Sequence, residues 1–406
     1  MKVLMICGFF AQNNEEEVIA QARSAVEFSA NQFQSKLIGG FRKMGCDLQV
    51  LSAPFIGAFP TASRSVSFRG FKEPSEEIDY VAFNNIWGFR NFSRSRALKK
   101  KLLSFAKDPC PEKMIVIYCP HTPFLEAAAY AKKLDKRIRI CFYVPDLPNY
   151  MNLNSNRSVI YDAAKYVDNV RMRGYMKVVD SYVLLTAPMK SALPVGEKPF
   201  LVAEGIIDGE SANWDRPDSV CGSEKHIVYT GKLNEKFGVK DLIDAFALVQ
   251  GDDYRLVLCG HGDCADYARA AAKQDNRIIV TGQLSPAQAL EWQMKASVLV
   301  NPRPNNEDYT KYSFPSKIIE YLKTGIPVVA YVLDGMPEFY RDFFWAVDED
   351  KPCSVAICEA ILRALSSTAG ERMEKNERFV RYARENLCAE EIAQKMIAMT
   401  MPGNPG

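Results

Sequence analysis

Residues 296 to 331, ASVLVNPRPNNEDYTKYSFPSKIIEYLKTGIPVVAY, decide the fold of this chain. The stretch reads as a buried strand (Ala296 to Val300), a Pro/Asn-rich loop, a helix opened by Ser313-Phe314-Pro315-Ser316-Lys317, and a second strand (Pro327 to Tyr331) introduced by Gly325. That is half of a βαβ unit. Small and basic residues at the helix start suit an anion docking on free backbone N–H groups and on the positive end of the helix dipole. Lys317 and Glu320 stand at i and i+3 on one helical face. A cation and a carboxylate so placed can meet different parts of one ligand, such as a phosphate and a sugar hydroxyl.

The alternation of strand and helix runs outward from this stretch. Strands at His226 to Tyr229, Arg255 to Cys259 and Ile278 to Thr281 alternate with helices at Val239 to Val249, Cys264 to Lys273 and Pro286 to Lys295. Nearer the start, an apolar strand from Val3 to Cys7 ends at Gly8, and one helix is expected from about Glu16 to Lys43. Further strands follow at Asp47 to Leu51, Met114 to Tyr118, Arg137 to Val144 and Ser181 to Leu185. Alternation of this kind builds parallel, doubly wound sheets. The expected class is α/β with two Rossmann-like domains. Residues 1–208 form the first and residues 209–225 a polar linker; the second spans 226–385, and a C-terminal helix and tail occupy 386–406.

At 406 residues the chain exceeds one ordinary core, and 48% hydrophobic residues suffice to fill two. Its net charge of +2 hides a division: 28 Lys/Arg against 18 Asp/Glu in residues 1–200, and 23 against 31 in residues 201–406. The basic half is expected to face something anionic. Eleven cysteines lie scattered, several in apolar runs, which suits a reducing cytosol better than a disulfide framework. No apolar run approaches the ~20 residues that cross a bilayer. MKVLMICGFF, with Lys2 as its one charge and no small-residue cleavage site, reads as a first strand. A cytoplasmic protein is expected, with room for peripheral contact on the inner face of the cell membrane.

Ligands of open α/β sheets bind beyond the carboxyl ends of the strands. The first strand of the second domain runs into Thr230-Gly231-Lys232-Leu233-Asn234-Glu235-Lys236-Phe237-Gly238, where two lysines four apart can place positive charge on a diphosphate. Solvated lysines on a surface loop are the plainer reading of that spacing. Three segments occur in order: Thr230-Gly231-Lys232 with Lys236, Cys259-Gly260-His261-Gly262-Asp263, and Phe314-Pro315-Ser316-Lys317-Ile318-Ile319-Glu320 followed by Gly325-Ile326-Pro327-Val328-Val329. Together they resemble the donor domain of retaining glycosyltransferases of the GT-B fold, family 4, and look most like the capsular or exopolysaccharide branch. The resemblance covers residues 226 to 345, and extends more loosely to the first half through Pro145-Asp146-Leu147-Pro148 and Glu204-Gly205-Ile206.

The resemblance implies two domains facing a central cleft, with the C-terminal helix crossing back to the N-terminal domain. It also implies transfer of a sugar from a UDP- or GDP-sugar to a saccharide acceptor, with retention. In such enzymes the leaving diphosphate takes the acceptor proton and no protein nucleophile is needed. By the same resemblance Lys232 and Lys236 hold the diphosphate as catalytic residues. Gly231, Gly260 and Gln283 line the donor site, as do Ser313, Phe314, Pro315, Ser316 and Lys317; Ser316 and the free N–H groups of the segment from Ser313 to Lys317 cradle the distal phosphate. Glu320 is the second glutamate of the family's E-x7-E pattern and bonds the ribose hydroxyls. Counting back eight residues gives Tyr312, so the first glutamate is absent, and Glu307, Asp308 or Tyr312 itself could replace it.

His121, between prolines at a strand end of the basic half, is read as catalytic or sugar-orienting, against the commoner structural histidine. Gly8 could admit donor or acceptor close to the backbone, or be an ordinary turn glycine. No metal or other cofactor is expected: Cys259, His261 and Cys264 lack a fourth zinc ligand at any usual spacing, and Asp348-Glu349-Asp350 reads as a solvated loop. The segment Trp87 to Lys107 holds seven Lys/Arg and no acid, with aromatic and leucine residues interleaved. Its Arg94, Arg96, Lys99, Lys100 and Lys101 form a candidate patch for an acceptor or an anionic membrane that carries a lipid-linked saccharide; a helix with its apolar side in the core is the alternative. Nucleic acid is not an expected partner, since no binding module accompanies the patch. Competing readings are a nucleotide-sugar epimerase or phosphorylase of similar fold, and a nucleotide-sugar-binding subunit without catalysis.

Overall fold

The structure is a computed structural model that describes residues 1–23, 28–73, 77–148, 159–208, 224–305 and 307–401. It divides into two compact units, one of residues 1–208 with 386–406 and one of residues 209–385. The expected linker at 209–225 lies outside the described residues except for Glu224 and Lys225, and Lys225 already opens a strand.

The first unit is built on an eight-stranded sheet. Its order is Phe200–Val202, Ser181–Leu184, Ile138–Val144, Lys113–Tyr118, Lys2–Cys7, Asp47–Ser52, Ile78–Tyr80 and Lys72–Glu73. All neighbours are parallel except the last pair. Lys113–Tyr118 is buried along its whole length, as a central parallel strand covered on both faces must be. The expected helix from Glu16 to Lys43 is two helices, Glu15–Gln21 and Phe28–Lys43. Ala22 ends the first in extended conformation and forms a bridge with Ser63, so a contact from 41 residues downstream overrides the local helical pattern.

The C-terminal helix Ala389–Thr400 packs on Phe28–Lys43 within this unit. A Cβ at Gly40 would stand 2.3 Å from the Ala389 carbonyl oxygen, so glycine there permits the close approach. Reciprocal backbone bonds join Ile207 to Leu387 and Ala389, and Ser181 Oγ lies 2.6 Å from Thr400 Oγ1.

The second unit holds a six-stranded parallel sheet. Its order is Ile278–Gly282, Tyr254–Cys259, Lys225–Thr230, Val298–Asn301, Val328–Ala330 and Trp345–Ala346. Order reverses between Lys225–Thr230 and Val298–Asn301, where successive connections leave the sheet in opposite directions and open a crevice at the strand ends. The chain is thus α/β with two Rossmann-like units.

Candidate functional site

In the second unit, the loops after the strands are locked together by backbone. Gly231 N donates to Cys259 O at 2.9 Å, Gly260 N to Gly282 O at 2.8 Å, and Leu233 N to His261 O at 3.0 Å. Gly260 makes this possible: at φ +153° a Cβ would lie 1.7 Å from the Gly231 carbonyl oxygen. Asp263 accepts from Glu235 N at 2.9 Å and so orders the turn Glu235–Phe237. Lys232 and Lys236 project from this rigid loop, both exposed and without an ion-pair partner among the described residues; Lys236 lies over the Phe237 ring. Gln283 is exposed at the end of the next strand.

Residues 313–322 are organised differently from their sequence pattern. The helix is Ser316–Leu322, with Pro315 at its N-cap, so Ser313 and Phe314 precede it. The Phe314 side chain is turned into the core: the residue is 7% exposed and its ring meets Tyr340 edge-on at 5.1 Å, which leaves its backbone as the part that could meet a ligand. Ser313 Oγ accepts from Arg303 at 2.9 Å. Lys317 Nζ bonds both oxygens of Glu320 at 2.8 Å, so the cation and carboxylate expected to serve one ligand serve each other here. Ionised carboxylate oxygens have lone pairs beyond these two bonds, so Glu320 retains capacity for a hydroxyl.

Two residues that sequence reasoning missed shape this region. Gln293 is wholly buried and joins Thr230 Oγ1 to Glu320 Oε1. No pattern marks it, because in its helix Pro286–Met294 the apolar Leu290 is 51% exposed while Gln293 is inside. Arg303 follows the strand Val298–Asn301, lies over Tyr309 and within 5.8 Å of Phe237, and has its guanidinium pushed below its usual range by burial. A basic residue between prolines at a strand end was the signal available for it.

In the first unit, His121 follows the strand Lys113–Tyr118 through Cys119, whose φ of +76° turns the chain sharply. Backbone outside the usual regions is costly for a side chain with a Cβ and gathers at functional sites. Arg94 Nη1 lies 3.2 Å from His121 Nε2, while Phe55 and Phe124 meet the imidazole edge-on at 6.0 and 4.8 Å. Burial, then Arg94 and Arg90, hold the His121 imidazole well below its ordinary pKa. Gly8 is not an opening for a ligand: the Phe55 ring occupies the space a Cβ would take, and its N–H donates to Gln34.

Arg94 is not part of a surface patch. It is 1% exposed, donates to Pro54 O at 2.9 Å and lies over the Phe83 ring. Helix Arg90–Lys107 buries Leu98, Leu102 and Phe105 and leaves Phe92, Arg96 and Lys100 exposed. Lys99 is paired with Glu126 and Lys101 with Asp79. Exposed Ile86, Trp87 and Phe89 adjoin the helix start.

Residues 224–367 match the family described as Glycosyl transferases group 1. An uncharacterized glycosyltransferase of Methanocaldococcus jannaschii is 24% identical over 205 residues, 48% of this chain and 50% of the relative, so the match spans about half of that protein. TuaH of Bacillus subtilis, provisionally named a glycosyltransferase of teichuronic acid biosynthesis, is 22% identical over 321 residues, 71% of this chain and 79% of the relative. Among solved structures, the apo lipopolysaccharide outer core galactosyltransferase WaaB superposes with a TM-score of 0.62 at 15% identity, covering 98% of this chain and 99% of that one. At that identity the likeness shows the fold, which is GT-B.

Proposed function

We propose, from the match of residues 224–367 to the glycosyl transferases group 1 family, that this protein moves a sugar from a nucleotide-sugar donor to a saccharide acceptor. The observation that carries the reading is the pair Lys232 and Lys236. Both are exposed, neither has an ion-pair partner among the described residues, and both stand on a loop that Gly260 and Asp263 hold rigid. Unpaired cations on a rigid loop at a strand end suit a diphosphate that gains charge as it leaves. Glu320, steered by Gln293, is the carboxylate for the ribose hydroxyls, and Ser316 and Lys317 lie beside the distal phosphate.

The reaction we propose is hexosyl transfer with retention from a UDP- or GDP-sugar, in surface polysaccharide synthesis such as capsule, by a cytoplasmic enzyme. Lysine charge does the work that a metal does elsewhere, so transfer is expected to survive chelation by EDTA. The acceptor is a lipid-linked saccharide. That part of the reading is supported by Trp87, Phe89 and Phe92, exposed beside Arg96 and Lys100, which is the composition of a surface that sits on an anionic membrane.

The test is thermal unfolding of the purified protein with UDP, GDP and their sugars, followed by transfer assays. A true donor binds the folded state alone and raises Tm. Lys232→Ala and Glu320→Ala are expected to remove both the shift and the transfer. A nucleotide-induced shift with no measurable transfer would favour a binding subunit, and transfer unchanged in both variants would refute the proposal.

A further inference from the structure

The Arg94–His121 contact has a chemical consequence for which proton His121 carries. A guanidinium has only N–H donors and no acceptor, and it stays protonated in proteins. In the 3.2 Å contact, Arg94 Nη1 must therefore donate and His121 Nε2 must accept. An imidazole that accepts at Nε2 while neutral carries its proton on Nδ1.

Three features make the arrangement rigid. Arg94 is buried, fixed by Pro54 O through its other terminal nitrogen and by the Phe83 ring beneath its plane. Phe55 and Phe124 pack against the imidazole in T-shaped contacts. His121 N bonds back to Cys119 O at 2.8 Å, which sets the backbone from which the ring projects. The charged groups that act on the ring are Arg94 and Arg90, both cations on the helix Arg90–Lys107, so a second positive charge on His121 is disfavoured.

We propose that Arg94 is a positioning residue that fixes His121 as its neutral Nδ1–H tautomer, so that His121 meets a sugar as a hydrogen-bond donor and acts as neither base nor acid. The sugar-facing half of this rests on the transferase reading; the tautomer does not. It also assigns a purpose to a buried arginine that has no ion-pair partner among the described residues.

The test is long-range 1H–15N correlation of the full chain labelled at histidine. Its three imidazoles are His121, His226 and His261, and His121→Gln identifies the first. The expected spectrum shows His121 protonated at Nδ1 alone, unchanged from about pH 5 to pH 8, where an ordinary histidine titrates. In Arg94→Met the same ring is expected to mix its two neutral tautomers, while burial and Arg90 continue to oppose its protonation. Arg94→Lys, which keeps one donor, is expected to restore the Nδ1–H form. A wild-type His121 protonated at Nε2, or titrating near its ordinary value, overturns the proposal, and that measurement needs no variant to fold. In transfer assays Arg94→Met is expected to lower kcat on the order of tenfold, about the worth of one hydrogen bond, with donor KM little changed. If the tautomer is found but His121→Gln transfers sugar at the wild-type rate, the sugar-facing half is overturned while the transferase reading stands.

Discussion

Gln293 Nε2 donates to Glu320 Oε1 at 2.7 Å from a position with no exposure to solvent. It also donates to Thr230 Oγ1 at 2.9 Å, and Thr230 in turn meets the hydroxyl of Tyr321. The end of strand Lys225–Thr230, helix Pro286–Met294 and helix Ser316–Leu322 are thereby tied at one buried amide. The carboxylate proposed for ribose is held from inside the unit.

Replacing Gln293 by leucine should therefore act twice. Loss of its bonds to Thr230 and Glu320 is expected to cost about 1–3 kcal/mol of stability, measured by urea unfolding. Titration calorimetry with UDP or GDP should show several-fold weaker binding, since Glu320 loses its orientation. Weaker stability with unaltered affinity would mean that Gln293 only supports the fold.

Two glycines at strand ends should respond very differently to alanine. At Gly260 the new Cβ would meet the Gly231 carbonyl oxygen at 1.7 Å, so one of the two loops must move. A loss above about 3 kcal/mol is expected, the size reserved for such clashes. Gly282, at φ +76° with nothing within 4 Å of a Cβ, should cost only the backbone strain of about 1–2 kcal/mol. Equal Tm values for the two variants would contradict the packing described for these loops.

Acid stability should depend on Asp135 in the first unit. Lys113 is fully buried, bonded to the carbonyls of Phe105, Ala106 and Asp108 and paired with Asp135. The hydrogen bond from Arg137, followed by that from Lys113, holds the Asp135 carboxyl well below its usual range. A carboxyl depressed on folding contributes stability that is complete above its unfolded pKa of ~3.9 and is lost as pH falls through the lower folded value. Asp135→Asn is expected to lose about 3 kcal/mol near neutral pH by leaving Lys113 unpaired. Its urea midpoint should approach that of the wild type only in strong acid, and parallel pH curves would refute this account.

Much of the fold could be read locally. Apolar runs of four to seven residues ending in Gly8, Gly231, Gly260 and Gly282 mark parallel strands, because both faces of such strands are covered and the chain must turn at their ends. The helix read from Glu16 to Lys43 failed because its break at Ala22 answers to Ser63, which no window of local sequence contains. The surface-patch reading of Arg94 fails for a related reason, and the inward turn of the Phe314 ring is hidden from local sequence in the same way. A motif position or a basic run says which residues are near in the chain, and both side chains turn inward to partners, Tyr340 and Pro54, that lie 26 and 40 residues away.

The amino-acid sequence alone determined two Rossmann-like units and the small and basic residues at their strand ends, because hydrophobic period and turn chemistry act over a few residues. Tertiary structure alone decided which of those residues are free. Lys232 and Lys236 stand open, Lys317 is held by Glu320, Glu320 is steered by Gln293, and His121 receives its hydrogen bond from a buried Arg94. Polar partners are chosen by the distance and direction that packing imposes between elements far apart in the chain, and no local spacing records that.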